Sequence, residues 1–340
     1  MDIGTCRVSS THAPNRDPSA DTGSHEETSV RPRIGVVGGL NMDIHLFGGE
    51  HRTEDGAYLA ERYLIEPGGK GANQARAAAR LGADAVLVGC VGDDEFGRLC
   101  VDATNGDGVD VTHVVTTSER RTGFVVIQLI EGRHRSLVFT PGANSLLAWD
   151  NVTPALDALA SCDIVITQSE VPADTVDRLI DWSQESSVPI YLDPASPEQA
   201  SEHSLVGADV ITPNALETEA LTGRSLHDEA TPMLAARDLM AMGVRRAILK
   251  LGPAGALFAS DGSMKSIPTA AVEAVDETGA GDVFVAALAV KRAWGVDWIE
   301  AITFANAAAA VSISRSGLAL PEFDDVTAVA ATIGLPSELL

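Results

Sequence analysis

Short apolar segments rich in β-branched residues alternate along this chain with longer alanine-rich or amphipathic segments. Strands are predicted at residues 34–40, 85–90, 164–167, 190–192, 210–211 and 247–251. Helices are predicted between several of them, at residues 72–81, 173–183, 217–222 and 232–242. Because strands that alternate with helices usually pair in parallel, the pattern predicts an α/β fold in which helices cover both faces of a mostly parallel sheet.

Two regions depart from this alternation. Residues 44–66 interrupt it, and residues 120–140 indicate two strands around the turn Glu131-Gly132. Hairpin sequence inserted into an α/β framework predicts a small second sheet that stands off the main body. Residues 1–31 are polar and are predicted to be a disordered tail. Because no linker divides the rest, residues 32–335 are expected to form a single domain.

The chain is strongly acidic. Its 340 residues include 24 Lys and Arg against 48 Asp and Glu, a formal net charge of -24, and only four of the basic residues are lysines. Such a surface is typical of a protein from a salt-rich cytoplasm, where salt screens the repulsion between carboxylates; an acidic mesophilic surface is the alternative. Nucleic acid is not expected as a partner, because a phosphate backbone binds a basic face.

Neither the cysteines nor the apolar segments indicate an export or membrane signal. Cys6, Cys90, Cys100 and Cys162 form no CxxC pair and no spacing suited to a metal, which predicts reduced thiols, with Cys90 and Cys162 in the core. The tail lacks the apolar stretch of a signal peptide, and no apolar run approaches the ~20 residues of a membrane-spanning helix. We therefore expect a cytoplasmic protein with no membrane partner.

Residues 276–282 have the sequence DETGAGD and lie between two apolar segments, 271–275 and 283–290, which are predicted as a strand and a helix. Glycines let the backbone bend tightly there, and exposed amides at the helix start can cradle anionic oxygens. These amides are those of Gly279, Ala280, Gly281 and Asp282. The Asp282 carboxylate, in the first helical turn, could take a proton from a hydroxyl held nearby. The alternative is an aspartate that only caps the helix.

A second glycine cluster, PGGKGANQA at residues 67–75, also leads into an alanine-rich helix. Its glycines let a ligand approach the backbone, and the Asn73 amide can donate to and accept from a sugar hydroxyl. The segment is not a Walker A loop, because Gly71 follows Lys70 where that motif requires Ser or Thr. Asp43 adds a carboxylate after the first predicted strand, at the sheet edge where α/β sheets bind ligands. It could hold two vicinal hydroxyls; an aspartate in a simple turn is the alternative.

Together and in this order, the three segments resemble the ribokinase-like family of carbohydrate kinases, also called the phosphofructokinase-B family. The resemblance covers about residues 34–321, and within the family the spacings are most similar to the ribokinase branch. It extends to GCVGDDEFG at 89–97, TPGAN at 140–144, ITPNALETEALTG at 211–223 and LKLGPAGAL at 249–257.

The resemblance implies a three-layer α/β/α domain with a small β-sheet lid over the sugar, contributed by about residues 44–66 and 120–140. It implies that Asp282 is the catalytic base, which deprotonates the acceptor hydroxyl while the amides of residues 279–282 stabilise the transferring γ-phosphoryl group of ATP. The residues that would contact the sugar are Asp43, Gly69, Lys70, Asn73 and Glu170.

For the nucleotide, the resemblance points to a different set of residues. Asn214 and Glu217 match the family's NxxE motif, which serves the nucleotide phosphates and, through water, Mg²⁺; the alternative is a helix cap. Lys250, Gly252 and Gly255 fall in the nucleotide loop, and Asn306 falls on the helix that faces the adenine.

A monovalent cation, usually potassium in this family, is also implied. Asp276 and Thr278 resemble its carbonyl and side-chain ligands, and its expected role is to order the anion cradle. The second half of that site, around Ile313, Ser316 and Gly317, departs from the family's sequence at residues 318–321.

Basic residues concentrate in the predicted small sheet of this acidic chain. They are Arg120, Arg121, Arg133, His134 and Arg135. Because arginine recognises phosphate with its planar fork, we hypothesise that the acceptor already bears a phosphate, as ribose 1-phosphate would, with Arg121 and Arg135 as its ligands. The alternative is that these side chains point to solvent or pair with acids of a partner lid.

The expected function is therefore ATP-dependent phosphorylation of the primary hydroxyl of ribose or ribose 1-phosphate. A nucleoside kinase or a fructose-phosphate kinase of the same fold is the alternative, and a non-catalytic sugar sensor is a further one. Lid sheets in this family often pair between two subunits, which implies a homodimer formed through the lid.

Overall fold

A computed structural model describes residues 30–52, 57–130, 133–226, 231–315 and 317–334 of the chain, with the backbone alone at 49–52 and 133–135. The expected tail at 1–31 falls almost entirely outside the described residues, as do Cys6 and Ser316. The division into a tail and a domain at 32–335 therefore stays a prediction.

Thirteen strands are formed by the described residues. They are β1 Arg33–Val37, β2 Asn41–Arg52, β3 Tyr58–Gly68, β4 Asp84–Gly92, β5 Asp110–Thr117, β6 Gly123–Ile130, β7 Arg133–Thr140, β8 Ile164–Gln168, β9 Ile190–Asp193, β10 Val210–Ile211, β11 Arg246–Lys250, β12 Ala256–Ser260 and β13 Ser263–Ile267.

The larger of two sheets contains nine of these strands in the order β13-β12-β11-β10-β9-β8-β1-β4-β5. Every neighbouring pair from β11 to β5 is parallel. Only β12 and β13, at one edge, run antiparallel to their neighbours. The predicted mostly parallel sheet is confirmed, and all six of the predicted main-sheet strands belong to it.

The described part of the chain also contains eleven α-helices. They are α1 Lys70–Arg80, α2 Glu95–Gly106, α3 Trp149–Val152, α4 Leu156–Ala160, α5 Ala173–Ser186, α6 Glu202–Gly207, α7 Ala215–Thr222, α8 Thr231–Ala241, α9 Ala280–Ala293, α10 Trp298–Ile313 and α11 Phe323–Ala330.

Strand β1 shows how the two faces of the sheet are covered. Ile34 and Val36 point into a hydrophobic cluster with residues of α1, α9 and α10, whereas Val37 points into a second cluster with α5 and α8. All three side chains are fully buried, and each such burial stabilises the fold by about 1.5–3 kcal/mol. The three-layer α/β/α arrangement is therefore confirmed, and Cys90 and Cys162 are buried in the second cluster as expected.

The smaller sheet has four strands in the order β3-β2-β6-β7. Strands β2 and β6 pair in parallel, and the two edge pairs are antiparallel. The hairpin predicted at 120–140 is confirmed as β6 and β7, although its turn Glu131-Gly132 lies outside the described residues. Because β2 begins four residues after β1 ends, the chain passes directly from the main sheet into this smaller sheet, which we call the lid.

Two sequence-based expectations are wrong. Residues 271–275 form no strand: they are exposed, and the amide of Val275 donates to the carbonyl oxygen of Ile313 at the end of α10 (2.7 Å) rather than to a sheet. Arg120 and Arg121 lie in the connection between β5 and β6, not on a lid strand. In both places the local sequence predicted a strand, but the residues lie outside the strands of either sheet.

The glycines of residues 68–71 allow α1 to start against the chain that leaves β1. Gly69 has a φ of 91°, and a Cβ added there would lie 2.5 Å from the Asn41 amide nitrogen. A Cβ added at Gly71 would lie 2.5 Å from the Gly38 carbonyl carbon. Both distances are shorter than a van der Waals contact, so the close approach of α1 to the end of β1 requires glycine at both positions.

Asp94 joins the main sheet to the base of the lid. Its side chain caps α2 by accepting from the Gly97 amide (2.9 Å), and it also accepts from the hydroxyl (2.7 Å) and the amide (2.9 Å) of Thr122, which precedes β6. Burial raises the pKa of Asp94, but the hydrogen bonds from Gly97 and Thr122 outweigh it and hold the pKa below its ordinary value.

We expect the Asp94→Ala variant to lose about 1–2 kcal/mol of unfolding free energy at pH 7, because the helix cap and the tie to Thr122 are both removed. Urea denaturation measures this, with the exposed neighbour Asp93→Ala as control and an expected change within about 0.5 kcal/mol. Since the folded-state pKa is lowered, the contribution of Asp94 is present above its unfolded pKa and is lost as the pH falls through the folded value. Equal losses in the two variants would contradict the capping role.

Candidate active site

The polar residues of the candidate site meet at the carboxyl edge of the main sheet. Strands β8, β9 and β11 end there in Gln168, Asp193 and Lys250. The strand order reverses at β1, which lies between β8 and β4. Open α/β sheets bind ligands outside the carboxyl ends of the strands at such a switch point.

Asp282 lies in the first turn of α9, as expected, and is 4% exposed. Its Oδ2 accepts from Asn73 Nδ2 and its Oδ1 accepts from Gln74 Nε2, both at 3.1 Å. Both donors belong to α1, so α1 orients the Asp282 carboxylate. The Lys70 ammonium group lies 3.7 Å from Oδ1.

The environment of Asp282 raises its pKa. Burial is the largest cause and the negative charge of Asp193 adds to it, while the positive charge of Lys70 and the hydrogen bond from Asn73 act in the opposite direction. A carboxylate whose pKa is raised binds a proton more strongly, and a general base gains from a pKa that approaches the working pH.

The anion cradle is expected at the start of α9. Gly279 enters the helix in the left-handed region, with φ 74°, and a Cβ there would overlap Leu318 Cδ1 at 2.2 Å. The Ala280 amide donates to the Glu277 carbonyl oxygen (3.3 Å), which leaves the amides of Gly281 and Asp282 as the better donors to an anion. A Cβ added at Gly281 would lie 3.4 Å from Lys250 Nζ, so this ammonium group is next to the cradle.

Lys70 and Lys250 are joined by Asp193, which sequence reasoning missed. Asp193 Oδ1 accepts from Lys250 Nζ at 2.7 Å, and Oδ2 accepts from Lys70 Nζ at 3.3 Å. Gln74 Nε2 donates to the same Oδ2 at 3.3 Å as well as to Asp282, and thereby links the two carboxylates. Burial raises the pKa of Asp193, but the two lysines outweigh it and hold the pKa below its ordinary value.

The residues expected to contact the sugar are brought together beside Asp282. Asp43 lies on β2 of the lid rather than in a turn after β1, and a Cβ at Gly68 would overlap its Oδ2 at 2.1 Å. Burial raises the pKa of Asp43 to about 7, His45 lowers it, and Glu66, Glu170 and Asp282 raise it further.

Glu170 follows β8 and belongs to the same group of carboxyls. Burial raises its pKa to about 7; Lys70 acts against this through its charge and its amide, while Asp282 and Asp193 add to it. The charge of Asp282 therefore raises the pKa values of both Asp43 and Glu170, and the charge of Glu170 also raises that of Asp43, as closely spaced carboxyls do. Gly69, Lys70 and Asn73 lie at the start of α1 in the same place.

His45 and Glu66 connect the lid to the loop before the cradle. His45 Nε2 lies 3.1 Å from Glu66 Oε1, and the histidine is 1% exposed. Burial lowers the pKa of His45, but Glu66, Asp43 and Asp276 outweigh it and raise the pKa above its ordinary value. A charged imidazolium is therefore favoured between the lid acids and Asp276.

Asp276 and Thr278 lie in that loop. Asp276 Oδ1 accepts from the Thr278 amide (2.9 Å), and Oδ2 accepts from the Gly317 amide (3.1 Å). Burial raises the pKa of Asp276, but the hydrogen bonds from Thr278 and Gly317 outweigh it and lower the pKa. The Ile313 carbonyl oxygen accepts from the amides of Val275 and Asp276, so it is already used within the protein.

On the nucleotide side, Asn214 and Glu217 form a capping box at the start of α7. Asn214 Oδ1 accepts from the Glu217 amide (2.9 Å), and Glu217 Oε2 accepts from the Asn214 amide (2.7 Å). The helix-cap interpretation of this pair is therefore confirmed. Glu217 also lies near the charged groups of the site. Burial and the charge of Asp193 raise its pKa, while Lys250 and Lys70 lower it.

The other expected nucleotide residues differ in their surroundings. Gly252 is exposed in the loop between β11 and β12, and a Cβ there would meet no atom within 4 Å. Gly255 is buried, with φ 82°. Asn306, on α10, uses its amide to donate to the carbonyl oxygens of Ile267 (3.2 Å) and Pro268 (3.0 Å), which holds the segment after β13.

The arginines expected to bind a phosphate are not brought to the carboxyl group of Asp43 by any contact among the described residues. Arg120 donates to Ser145 Oγ (2.9 Å), and the charge of Arg121 lowers the pKa of Asp94 at the start of α2. Arg135 lies on β7, and its side chain, like those of Arg133 and His134, lies outside the described residues.

Four contributors to the site were missed from the sequence: Gln74, Asn144, His45 and Asp193. Gln74 lies within GGKGANQA, one residue after Asn73, and its position on the inward face of the helix was the available signal. Asn144 of TPGAN is buried where the chain enters the lid. Its Oδ1 accepts from the Leu40 amide and its Nδ2 donates to the Leu40 carbonyl oxygen, both at 3.0 Å. The signal for Asp193 was its place directly after a predicted strand.

Comparisons with known proteins agree with this architecture. The profile described as pfkB family carbohydrate kinase matches residues 31–324. The ribokinase of Haemophilus influenzae is 34% identical over 289 residues, which cover 85% of this chain and 94% of that protein. The crystal structure of Thermotoga maritima ribokinase superposes with a TM-score of 0.77 at 32% identity, covering 88% of this chain and 99% of that one. Arabidopsis thaliana ribokinase complexed with ribose and ATP gives 0.77 at 29% identity, covering 88% and 99%.

The family match covers most of the chain, and the chain therefore belongs to the pfkB family of carbohydrate kinases. It is a ribokinase-like carbohydrate kinase, that is, a phosphotransferase with an alcohol group as acceptor. The family, the fold and the enzyme class expected from the sequence are confirmed. No helix among the described residues is long and apolar enough to cross a membrane.

We expect Asp43→Asn to be more stable than the wild type at pH 8, and we expect this gain in stability to be smaller at pH 4. A pKa raised from 3.8 to about 7 destabilises the folded state above pH 4, because the unfolded chain releases the proton more readily. The gain at pH 8 is at most about 4 kcal/mol and disappears as both states become protonated. Urea denaturation across this pH range measures it, and a difference that grows on acidification would contradict the raised pKa.

Proposed function

We propose that this kinase transfers the γ-phosphoryl group of ATP to the primary hydroxyl of ribose, with Asp282 as general base. The observation that carries the proposal is the position of Asp282: a buried carboxylate of raised pKa, held by two amide side chains of α1, at the same helix start as the anion cradle. A carboxylate and an anion repel each other, and their juxtaposition is useful when a reaction needs both.

In the proposed reaction an Asp282 carboxylate oxygen takes the proton of the sugar hydroxyl as the hydroxyl oxygen bonds to the γ-phosphorus. The bond from that phosphorus to the oxygen bridging it to the β-phosphorus breaks, and ADP leaves with the electron pair. The amides of Gly281 and Asp282, with those of Gly279 and Ala280 beside them, stabilise charge on the transferring group. Base catalysis of this kind contributes about 10²–10⁴ in rate.

The sugar hydroxyls are proposed to bind Asp43, Gly69, Lys70, Asn73 and Glu170. Support comes from their convergence: Lys70 and Asn73 both contact Asp282, and the charge of Asp282 raises the pKa values of Asp43 and Glu170. A carboxylate can accept one hydrogen bond on each of its two oxygens, which suits a sugar with vicinal hydroxyls. Because Asp43 lies on β2, sugar binding and the position of the lid are coupled in this proposal.

The nucleotide is proposed to bind Asn214, Glu217, Lys250, Gly252, Gly255 and Asn306. Among the described residues no group of acidic, histidine or cysteine side chains is arranged to hold a metal. In this proposal Mg²⁺ is held chiefly by phosphate oxygens and water, with Glu217 bound to one of those waters. Such an ion neutralises charge on the phosphates.

A monovalent cation, which we propose to be K⁺, fits the oxygens of Asp276 and Thr278. The lowered pKa of Asp276 keeps a negative charge in the loop that leads into the cradle. The Ile313 carbonyl is not included, because two amides already occupy it.

Neutral ribose is favoured over ribose 1-phosphate as the acceptor. The hypothesis of a phosphorylated acceptor rested on Arg121 and Arg135, and the contacts described for Arg121 and Arg120 are directed to Asp94 and Ser145. The groups around Asp43 include the carboxyls of Glu66, Glu170 and Asp282, which would repel a phosphate. The nearby cations are His45, which is already paired with Glu66, and Lys70, which is already paired with Asp193.

We further propose that the enzyme is a homodimer formed through the lid. Large apolar side chains are exposed on both edge strands of the lid: Leu59, Tyr63 and Ile65 on β3, and Leu137, Val138 and Phe139 on β7. Exposed apolar edge strands tend to pair with another chain.

We expect Asp282→Asn to reduce sugar-dependent ADP release by about 10²–10⁴-fold, because the base is lost while the size of the side chain is kept. A coupled assay measures ADP release, and calorimetry with ATP tests whether nucleotide binding is retained. A sugar sensor would give no sugar-dependent ADP release in the wild type. An Asp282→Asn variant as active as the wild type would show that Asp282 is not the general base.

A substrate screen with ATP and Mg²⁺ should show saturation by ribose at lower concentration than by ribose 1-phosphate, a nucleoside or a fructose phosphate. Each acceptor is assayed in KCl and in NaCl at equal ionic strength, which separates a K⁺ requirement from screening of the net charge of -24. We expect higher activity in KCl. Preference for ribose 1-phosphate, lost in Arg121→Ala or Arg135→Ala, would reverse the choice of acceptor.

Sedimentation equilibrium should show a dimer for the wild type and a monomer for Val138→Asp, because a charge on β7 is costly to bury against a second copy. Met233→Asp is the control, since Met233 is an exposed apolar residue on α8, away from the lid. A dimer that survives Val138→Asp would place the contact elsewhere.

A further inference from the structure

Asp193 is a fully buried carboxylate to which the reaction described above gives no role. Its side chain is 0% exposed, and its two oxygens are shared between Lys250 Nζ (2.7 Å) and Lys70 Nζ (3.3 Å). Taking an isolated carboxylate out of water costs several kcal/mol, which paired cations and hydrogen bonds offset. Gln74 and Thr212 complete the hydrogen bonding, at 3.3 and 3.4 Å.

The two lysines that Asp193 holds reach different parts of the reaction site. Lys70 Nζ lies 3.7 Å from Asp282 Oδ1, beside the proposed base. Lys250 Nζ is the atom that a Cβ at Gly281 would meet, and it therefore lies beside the anion cradle. One carboxylate at the end of β9 thus joins a cation near the base to a cation near the cradle.

The choice of residue type supports a specific role. The chain has only four lysines among its 24 basic residues, and two of the four converge on Asp193. An ammonium group is a compact point charge, whereas a guanidinium is a wide planar fork. Without Asp193 the two ammonium groups would repel each other, and each would be drawn toward other carboxylates such as Asp282 or Glu217.

We propose that Asp193 is a positioning residue that holds Lys250 against the anion cradle and Lys70 beside Asp282, so that both positive charges are in place when the phosphoryl group is transferred. Asp193 itself touches neither the sugar nor ATP in this proposal. The inference rests on the proposed function, because it takes the cradle to be the place that receives the γ-phosphoryl group.

The first test is a double-mutant cycle with Asp193→Asn and Lys250→Met. If Asp193 acts through Lys250, each single variant should lower kcat by about 10²-fold, the effect of removing one donor to a developing anion. The double variant should then lie within about threefold of the poorer single variant, because both changes remove the same interaction. The KM for ATP should change much less than kcat, since the charges act on the group in transfer.

A matched control is Asp209→Asn. Asp209 also pairs with two cations, Arg245 (3.3 Å) and Arg246 (2.8 Å), but it lies before β10, at the opposite edge of the sheet. Its kcat should stay within about twofold of the wild type, as for a substitution away from the site. A kcat for Asp193→Asn within about threefold of the wild type, multiplicative losses in the double variant, or an equal loss in Asp209→Asn would overturn the proposal.

A second measurement tests the proposal in the wild type and therefore does not depend on whether Asp193→Asn folds. With isotope-labelled lysine the protein should give one ammonium signal for each of its four lysines, and Lys265→Arg and Lys291→Arg assign the two that lie elsewhere. In the wild type, saturation with Mg²⁺ and a non-hydrolysable ATP analogue should shift the signals of Lys70 and Lys250. In Asp193→Asn the signals of Lys70 and Lys250 should differ in position from those of the wild type, and the signals of Lys265 and Lys291 should not.

Unshifted Lys70 and Lys250 signals in the saturated wild type would overturn the proposal even if Asp193→Asn does not fold. The failure of the proposed function looks different: the wild type would then release no ADP with any sugar. An active wild type with an unaffected Asp193→Asn variant would remove only the role of Asp193.

Discussion

The burial of the Asp282 carboxylate is the constraint on which the rest of the site depends. A carboxylate that is 4% exposed keeps a charge only if donors surround it, and here the donors come from one helix. Asn73 and Gln74 hold its two oxygens and Lys70 lies 3.7 Å away. These three residues are spaced i, i+3 and i+4, so α1 presents all of them on one face.

That dependence explains why the glycines before α1 matter as much as those before α9. Helix α1 delivers its donors only if it starts against the chain that leaves β1, and the contacts that a Cβ would make at Gly69 and Gly71 show how little space there is. The same chain then continues into β2, which carries Asp43. The position of Asp282, the start of α1 and the start of the lid strand β2 are therefore set by one crowded crossing. Asn144 holds that crossing by bonding the amide and the carbonyl group of Leu40.

Charge is distributed unevenly in this acidic protein. The formal net charge is -24, yet at the site two lysines meet two carboxylates, Asp193 and Asp282, in equal number. Around this balanced group lie Asp43 and Glu170, whose pKa values are raised to about 7 because they are buried near other acids. This charge is the reason why we propose a neutral sugar as the acceptor: each hydroxyl can donate to a carboxylate, while a second phosphate would meet more negative charge.

The sequence alone determined those features that depend on neighbours within a turn or two of the chain. The alternation of strands and helices, the place of Asp282 in the first turn of α9, the β6–β7 hairpin and the capping box of Asn214 and Glu217 all follow from short-range spacing. Only the tertiary structure decided which distant residues meet. Asp193 joins Lys70, 123 residues away, and Lys250, 57 residues away, because the strand order brings the ends of β9 and β11 to one edge beside α1. Residues 271–275 are apolar enough for a strand, yet they form none and the Val275 amide donates to the end of α10 instead, because packing of the whole chain selects among segments that look alike locally.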